Sequence, residues 1–420
     1  MLRSACLRQI RRMRAVYNSR KSMKTELLIQ DRLDVADKTR SNIFNWRGQF
    51  TPQFADYILQ CFASPNATIM DPFCGSGTVL LEAAPRGLPS IGCEINPAAY
   101  AMAKFISLIN ISVGDRTKAM SRVDAAISRL SPEFDYLPLF EDQSDYRQKC
   151  KNLLDFASEL FKALENKREI LLALITLIRA ETCGRGNLLA TIYKAAQSVR
   201  GDLIALPVTD TLVRAELCDA RDVHRIAGTG VDLILTSPPY INVFNYHQNY
   251  RALLEVLGFD ILKVAESEIG SNRKNRSNRY RTVVQYCLDM EQALCSFSLA
   301  LKEGGILILV VGFQSQVRGI PFSNSQILRD IADSMGSLVT EGERHRTFLN
   351  RFGQSIREDI IVLRREWRIP TEGNGRQIAQ VHLERALETA HGDQRNEIME
   401  VLSDLPTIHP SPLLTRKGIL

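Results

Sequence analysis

Short apolar runs alternate along this chain with longer stretches whose apolar residues recur at helical spacing. The short runs predict buried strands, and the longer stretches predict amphipathic helices. The predicted strands lie at 67–73, 89–95, 213–218, 231–236 and 305–311. Strands that alternate with helices in this way indicate a doubly wound α/β sheet.

Two segments depart from this alternation. Residues 107–200 carry apolar positions at helical spacing with few turn signals, and we interpret them as a helical insertion. Near the carboxyl end, 338–344 and 357–363 predict an antiparallel hairpin, and 366–420 predict a helical C-terminal tail. The predicted fold class is therefore α/β, a doubly wound sheet with a late antiparallel edge strand and a helical insertion.

Composition indicates an ordinary globular protein. Hydrophobic residues make up 45% of the 420 positions and charged residues 24%, and no apolar run is long enough to span a bilayer. This length predicts two or three domains, or one elaborated α/β domain. The nine cysteines form no C-x-x-C pair, which argues against a zinc ribbon or a disulfide framework and favours reduced thiols. We expect a cytoplasmic protein with no metal site and no membrane partner.

Basic residues are concentrated at the amino terminus. The first 24 residues contain eight basic side chains and no acidic one, whereas the net charge of the whole chain is only +6. Three interpretations remain open: an arm that binds phosphates, an organelle transit peptide, or a disordered extension ahead of Met23. We favour the third, and we treat residues 1–40 as a basic N-terminal extension.

The first predicted strand ends in a glycine loop that opens a helix, with the sequence Asp71-Pro72-Phe73-Cys74-Gly75-Ser76-Gly77-Thr78. Two glycines let the backbone turn sharply and approach a ligand closely. A dinucleotide fingerprint would need a third glycine where Leu80 stands, and a phosphate-binding P-loop would need Gly-Lys followed by Ser or Thr. The loop therefore predicts a ligand of another kind at the carboxyl edge of the sheet.

A second motif, Ser237-Pro238-Pro239-Tyr240, closes the apolar run at 231–236. Neither proline has an N–H to donate and each restricts its own φ, so the strand cannot continue its ladder. The backbone is stiff at this point, and a tyrosine ring is presented beside its carbonyl groups. This motif also predicts a site at the carboxyl edge of the sheet.

Together the glycine loop and the Ser-Pro-Pro-Tyr tetrad resemble the amino-methylating (N4-cytosine/N6-adenine) S-adenosylmethionine-dependent DNA methyltransferases. The resemblance covers about 41–106 and 213–365, and it implies a seven-stranded, Rossmann-like methyltransferase sheet. It also implies that 41–106 is the cofactor-binding half and 201–365 the catalytic half of one methyltransferase domain. The insertion at 107–200 then becomes a candidate for target recognition.

The resemblance implies roles in binding S-adenosyl-L-methionine for residues at three strand ends. Asp71 and Phe73 are expected to contact the methionine and adenosine parts, and the backbone from Gly75 to Gly77 is expected to lie under the amino-acid tail. Glu94 ends the second strand, where an acid can accept both ribose hydroxyls. Asp219 ends the third strand and is expected to bind the adenine amino group, although helix capping by Asp219 or Asp222 is an alternative.

The tetrad is expected to hold the target amino group. The Ser237 hydroxyl and the Pro238 carbonyl suit acceptance of its hydrogens, Pro239 stiffens the turn, and Tyr240 can stack on a base flipped from the duplex. Serine at the first position is commoner among the cytosine-N4 enzymes of this family, which favours cytosine N4 over adenine N6. Cytosine-C5 chemistry needs a nucleophilic cysteine, usually after proline, and no proline here precedes a cysteine.

A basic loop follows the tetrad and predicts contact with double-stranded DNA. Residues 270–281 contain five cations and no acid. We favour contact with DNA phosphates or a groove over the alternative of a flexible surface loop. The residues expected to bind DNA are Arg273, Lys274, Arg276 and Arg279.

These observations predict a DNA amino-methyltransferase with cytosine N4 as the favoured target and a cognate restriction endonuclease as a candidate partner. An RNA guanine-N2 methyltransferase is the nearest alternative, because some tRNA enzymes carry a similar loop and tetrad. Those enzymes usually have a substantial amino-terminal RNA-binding domain, and the residues before Phe44 are few for one. A non-catalytic DNA-binding module is disfavoured because no motif position is visibly damaged.

Overall fold

The computed structural model describes residues 23–26, 28–134, 146–183, 187–241, 246–271, 275, 277–350 and 353–414. Within them, seven strands form one sheet and two more form a small hairpin. The strands are β1 Ile69–Asp71, β2 Ser90–Glu94, β3 Val213–Leu217, β4 Val231–Thr236, β5 Leu301–Gly312, β6 Gln314–Val317, β7 Ile320–Ser323, β8 Leu338–Leu349 and β9 Ser355–Arg365.

Helices surround this sheet. Those of the amino-terminal half are α1 Met23–Glu26, α2 Gln30–Asp34, α3 Pro52–Phe62, α4 Thr78–Ala83, α5 Pro97–Ile106, α6 Val113–Phe134, α7 Tyr146–Lys162, α8 Lys167–Cys183 and α9 Leu188–Ala205. Those of the carboxyl-terminal half are α10 His224–Ala227, α11 Arg251–Val256, α12 Ile261–Ser267, α13 Arg281–Ala300, α14 Asn324–Met335, α15 Gly375–Ala386 and α16 Asp393–Ser403. Among the described residues, no helix is both long and apolar enough to cross a membrane.

The strand order in the large sheet is β3-β2-β1-β4-β5-β9-β8. Strands β1 to β5 are mutually parallel, and β9 is antiparallel to both β5 and β8. The predicted α/β fold class with a late antiparallel pair is confirmed. The reversed strand is β9, one position in from the edge, because it pairs with β5 on one side and with β8 on the other.

The order of the sheet reverses between β1 and β4. Chain connections leave these two neighbouring strands in opposite directions, which opens a crevice at their carboxyl ends. The glycine loop follows β1 and the tetrad follows β4, so both motifs lie at this crevice. The fold alone therefore brings together two segments that are far apart in the sequence.

Helices α6 to α9 lie between α5 and β3 in the chain, in the region predicted to be a helical insertion. Their buried apolar residues belong to the same core cluster as those of α5, so the insertion packs directly against the sheet's own helical layer. The C-terminal tail, predicted to be helical, contains two helices. It forms α15 and α16, which are separated at Gly392, a glycine with φ of 51°.

Candidate functional site

The glycine loop wraps over the carboxyl ends of β1 and β2. Gly75 and Gly77 have φ of 52° and 89°, in the left-handed region that glycine adopts without a steric penalty. The Gly75 amide donates to Glu94 Oε2 over 2.9 Å, and the Cys74 amide donates to the Cys93 carbonyl over 3.0 Å. These two bonds attach the loop to the end of β2.

The two glycines face different parts of the molecule. A Cβ on Gly75 would lie 3.1 Å from Trp46 Cδ1, in the wall of the site. A Cβ on Gly77 would lie 3.1 Å from Ala103 Cα and 3.2 Å from Ile106 Cγ1, both on helix α5. The missing side chain of Gly77 therefore makes room for helix α5, and the expectation that the backbone from Gly75 to Gly77 lies under the ligand's amino-acid tail stays a prediction.

Two acids stand at the ends of β1 and β2, the buried Asp71 and the partly buried Glu94. Asp71 Oδ1 accepts from the Thr236 hydroxyl over 2.6 Å, while Glu94 Oε1 accepts from the Asn96 amide over 2.8 Å. Burial raises the pKa of Asp71 and that of Glu94 to about 7. The two Glu94 oxygens accept from the separate amides of Gly75 and Asn96, and the two lone pairs of each oxygen leave acceptor capacity for hydroxyl groups of a ligand.

Asp219 is engaged by the protein itself. Its Oδ1 accepts from the Arg221 amide and from Arg221 Nε, and its Oδ2 accepts from Arg221 Nη2 and from the Leu414 amide. Both side chains of the Asp219–Arg221 ion pair are 1% exposed. The geometry matches the capping alternative, in which Asp219 starts the short 3₁₀ turn Ala220–Asp222. The expectation that Asp219 binds the adenine amino group stays a prediction.

The tetrad is held at the end of β4 by contacts from three directions. The Tyr240 hydroxyl donates to Glu358 Oε1 over 3.1 Å. A Cβ on Gly312 would lie 2.8 Å from Tyr240 Cε2, and one on Gly270 would lie 2.4 Å from the Tyr240 carbonyl oxygen. Both glycines therefore allow close approach of this tyrosine, which is itself only partly exposed.

One pocket joins the loop and the tetrad, with about 1100 Å³ of empty space counting its open mouth. The residues predicted from the sequence that line it are Asp71, Phe73, Gly75, Glu94, Asp219, Ser237, Pro238, Pro239 and Tyr240. The structure thus brings together every predicted cofactor and catalytic residue except Gly77.

Other residues of the pocket wall were not assigned from the sequence. Trp46 stacks on Tyr246 with ring centroids 6.0 Å apart. Glu268 also lines the pocket and is held by the buried His247, whose Nδ1 is 2.6 Å from Glu268 Oε2. The aromatic residues around Trp46 are a sequence pattern from which its place in the pocket could be predicted. The sequence around Glu268, in contrast, does not distinguish it from an acidic residue on the surface.

The predicted DNA-binding residues fall mostly outside the described part of the chain. Arg273, Lys274 and Arg276 lie outside the described residues. Arg279 is described; it is partly buried just ahead of α13 and does not line the pocket. The prediction of a DNA-binding loop remains a prediction.

The chemistry of the pocket fits S-adenosylmethionine, the cofactor expected from the two motifs. Asp71 and Glu94 line the pocket together with Gly75 of the glycine loop, and their carboxylates suit the ammonium and hydroxyl donors of such a ligand. Phe73 and Ile95 supply apolar surface for a planar ring. The tetrad lies in the same wall, so a second, reacting molecule can meet the ligand there.

Comparison with known proteins finds similarity to DNA methyltransferases. A family model described as DNA methylase matches residues 11–105. The chain is 24% identical over 287 residues to the type II methyltransferase M.BsoBI of Geobacillus stearothermophilus, and the match covers 55% of each protein. It is 23% identical over 436 aligned positions to the type II methyltransferase M.MjaII of Methanocaldococcus jannaschii, covering 76% of this chain and 79% of that one. The chain thus spans about half the length of the first relative.

Solved structures resemble the chain only distantly. TrmN from Thermus thermophilus is 16% identical with a TM-score of 0.30, covering 76% of this chain and 50% of that one. The family match, in contrast, falls on the stretch that builds the glycine loop. Together with the two type II relatives, it shows that this chain is similar to the amino-methylating DNA methyltransferases.

Proposed function

We propose that this protein transfers a methyl group from S-adenosylmethionine to the exocyclic amino group of a base in double-stranded DNA, with cytosine N4 as the favoured target. One contact carries the proposal. Thr236 immediately precedes the tetrad, and its hydroxyl donates to Asp71 Oδ1 in the glycine loop over 2.6 Å. The cofactor motif and the target motif are therefore joined directly, at the carboxyl edge of two neighbouring strands.

The cofactor side of the pocket is formed by the residues around β1 and β2. Glu94 and Asp71 would accept hydrogen bonds from the ligand's donor groups, and Phe73 would pack against its apolar part. When bound, S-adenosylmethionine supplies a methyl group carried on a positively charged sulfur. The loop bonds from Gly75 and Cys74 keep this half of the pocket in place before the ligand arrives.

The target side is formed by the tetrad. An exocyclic amine is a weak nucleophile because its lone pair is delocalised into the base ring. Acceptors on its hydrogens, supplied by the Ser237 hydroxyl and the Pro238 carbonyl, would favour a tetrahedral nitrogen with an available lone pair. Transfer forms an N–C bond, breaks the S–C bond and releases one proton. Holding the two reactants in adjacent parts of one pocket supplies much of the rate.

Two observations support DNA and cytosine as the target. Both curated relatives are named type II methyltransferases, which supports DNA and makes a cognate restriction endonuclease a candidate partner. Ser237 at the first tetrad position supports cytosine N4 over adenine N6. The partly exposed Tyr240 in the pocket wall suits stacking on a flipped base.

The test is methyl transfer by the purified protein from isotope-labelled S-adenosylmethionine to duplex DNA, with RNA as a parallel substrate. Nucleosides from the digested product are then identified by mass spectrometry. We expect N4-methylcytosine in the DNA. N6-methyladenine would reassign the target base, label in RNA alone would support the RNA guanine-N2 alternative, and failure to bind S-adenosylmethionine would support a non-catalytic module.

Variants of the tetrad sharpen the test. Pro238→Ala and Tyr240→Ala should lower single-turnover transfer by about tenfold or more while cofactor affinity changes little, because they act on the target base. Pro321→Ala, at an exposed position in β7, is the matched control and should leave both quantities unchanged. Equal losses of cofactor binding and of turnover in the tetrad variants would mean that the tetrad is only structural.

A further inference from the structure

Three residues form a row across the last three strands of the sheet, directly beside the tetrad. Gly312 at the end of β5 pairs with Glu358 on β9, and Glu358 pairs with Arg346 on β8. The ring of Tyr240 packs on Gly312, where a Cβ would come within 2.8 Å of it. The glycine therefore brings the tyrosine ring next to the carboxylate that is its neighbour in the row.

The Glu358 carboxylate is held from both ends. Its Oε1 accepts from the Tyr240 hydroxyl over 3.1 Å, and its Oε2 accepts from Arg346, with Nε at 2.7 Å and Nη2 at 2.6 Å. The Arg346 side chain is 6% exposed and that of Glu358 is 12% exposed. Water competes little for an ion pair that is this well covered, so its geometry is well determined.

Arg346 is itself fixed by aromatic side chains. Its guanidinium carbon lies 3.9 Å from the ring centroid of Phe54 and 5.9 Å from that of Phe50. Phe50 lines the pocket on the cofactor side. The guanidinium thus connects the amino-terminal wall of the pocket with the residue that binds Tyr240.

We propose that Glu358, held in place by Arg346, is a positioning residue that fixes the ring of Tyr240 for the target base. This inference rests on the proposed function, because it concerns the same tetrad. Contact with Gly312 restricts the ring on the side of its Cδ2 and Cε2 atoms but still leaves it some freedom to turn about its side-chain bonds. The hydrogen bond to Glu358 removes that freedom, and loss of an ångström of placement can lower a rate by about a hundredfold.

The test uses Tyr240→Phe, Glu358→Ala, Glu358→Gln and the double variant Tyr240→Phe/Glu358→Ala. We expect Tyr240→Phe and Glu358→Ala to lower single-turnover methyl transfer by about tenfold to a hundredfold, with cofactor affinity unchanged within about twofold. The double variant should lose no more than either single variant, since both changes break the same bond. Glu358→Gln keeps an acceptor for the hydroxyl and should retain more activity than Glu358→Ala.

Glu341→Gln is the matched control. This substitution breaks a second ion pair between β8 and β9, in which Arg364 Nε lies 2.6 Å from Glu341 Oε1. The pair does not involve Tyr240. Its transfer rate should equal that of the wild-type protein. Wild-type activity in Tyr240→Phe, additive losses in the double variant, or an equal defect in Glu341→Gln would each overturn the proposal.

A second measurement does not depend on activity. In cofactor-free protein labelled with ¹³C at the tyrosine Cζ, the Tyr240 signal is assigned as the one that Tyr240→Phe removes. Glu358→Ala should shift or broaden this signal, whereas Glu341→Gln should leave it unchanged. An unaltered Tyr240 signal in Glu358→Ala would refute the positioning role. A shifted signal in a protein without methyl transfer would instead uphold the contact and count against the proposed function.

Discussion

Glu94 accepts a hydrogen bond from the backbone amide of Gly75, with Oε2 and N 2.9 Å apart. The acid expected to bind the ligand's ribose therefore also holds the loop that forms the floor of the pocket. A residue with both tasks is difficult to replace, because its loss removes a ligand contact and loosens the loop. We expect Glu94→Ala to weaken cofactor binding by about 1–3 kcal/mol, measured by calorimetry.

Cofactor affinity should depend on pH near neutrality. Burial raises the pKa of Glu94 and Asp71 to about 7 in the free protein, above their ordinary values of 4.5 and 3.8. Hydroxyl and ammonium donors of a ligand favour the ionised carboxylates, so affinity should rise as the pH passes upward through about 7. The stability of the free protein should depend on pH in the opposite direction. These two groups favour folding below pH 3.8–4.5, and their contribution to the free energy of unfolding is lost as the pH rises to about 7.

Calorimetric titrations between pH 5.5 and 8.5 would check this dependence. Glu94→Gln should flatten the pH profile, and the exposed Glu303→Gln should leave it as in the wild-type protein. A profile that is level in the wild-type protein would show that neither carboxylate changes its charge on binding.

Gly77→Val should act on folding. Its left-handed φ of 89° and the crowding against α5 together predict a loss of about 2–5 kcal/mol in the free energy of unfolding. Gly336→Val is the control, because that glycine has φ of 68° but nothing within 4 Å of its missing Cβ, and it should cost only about 1–2 kcal/mol. Chemical denaturation measures both. Unchanged stability with lost cofactor affinity would instead favour a ligand role for Gly77.

Arg221→Ala should destabilise the protein strongly. Arg221 lies between Asp219 and Asp289, and it also donates to the Ser411 carbonyl near the end of the described chain. Its removal leaves two buried carboxylates without their cation, which predicts a loss of about 3–5 kcal/mol in chemical denaturation. Arg225→Ala, which removes an exposed pair with Asp222, should cost less than about 1 kcal/mol. Similar losses in both variants would contradict the buried network.

The basic loop gives a prediction about DNA binding. If its cations neutralise phosphates, changing Arg273, Lys274 and Arg276 to alanine should weaken binding to all duplexes alike. The slope of the logarithm of the binding constant against the logarithm of the salt concentration should also become shallower, by about 0.9 for each phosphate that is no longer neutralised. Lys302 lies at the amino end of β5, at the edge of the sheet opposite the pocket. Lys302→Ala should therefore change neither the affinity for DNA nor its salt dependence. Unchanged affinity and slope in the triple variant would move DNA recognition to the helical insertion.

The sequence by itself determined the seven strands of the large sheet, the glycine loop and the tetrad, but not the small hairpin of β6 and β7. Their signals are local: a proline cannot donate to a ladder, a glycine can take a left-handed φ, and an apolar run marks a buried strand. Each motif follows a predicted strand. Because the carboxyl ends of parallel strands meet at one edge of the sheet, this position was enough to predict a shared site there. The pocket brings together all but one of the predicted cofactor and catalytic residues for this reason.

Only the tertiary structure decided what each side chain is paired with. Asp219 stands where a ligand contact was expected, but Arg221 and the amide of Leu414, 195 positions later in the chain, take up its carboxylate. Tyr240 and Glu358 are 118 positions apart, and no local pattern links them. Such partners are chosen by how strands and helices pack, because hydrogen bonds between buried side chains depend on distances that the chain sets only once it is folded.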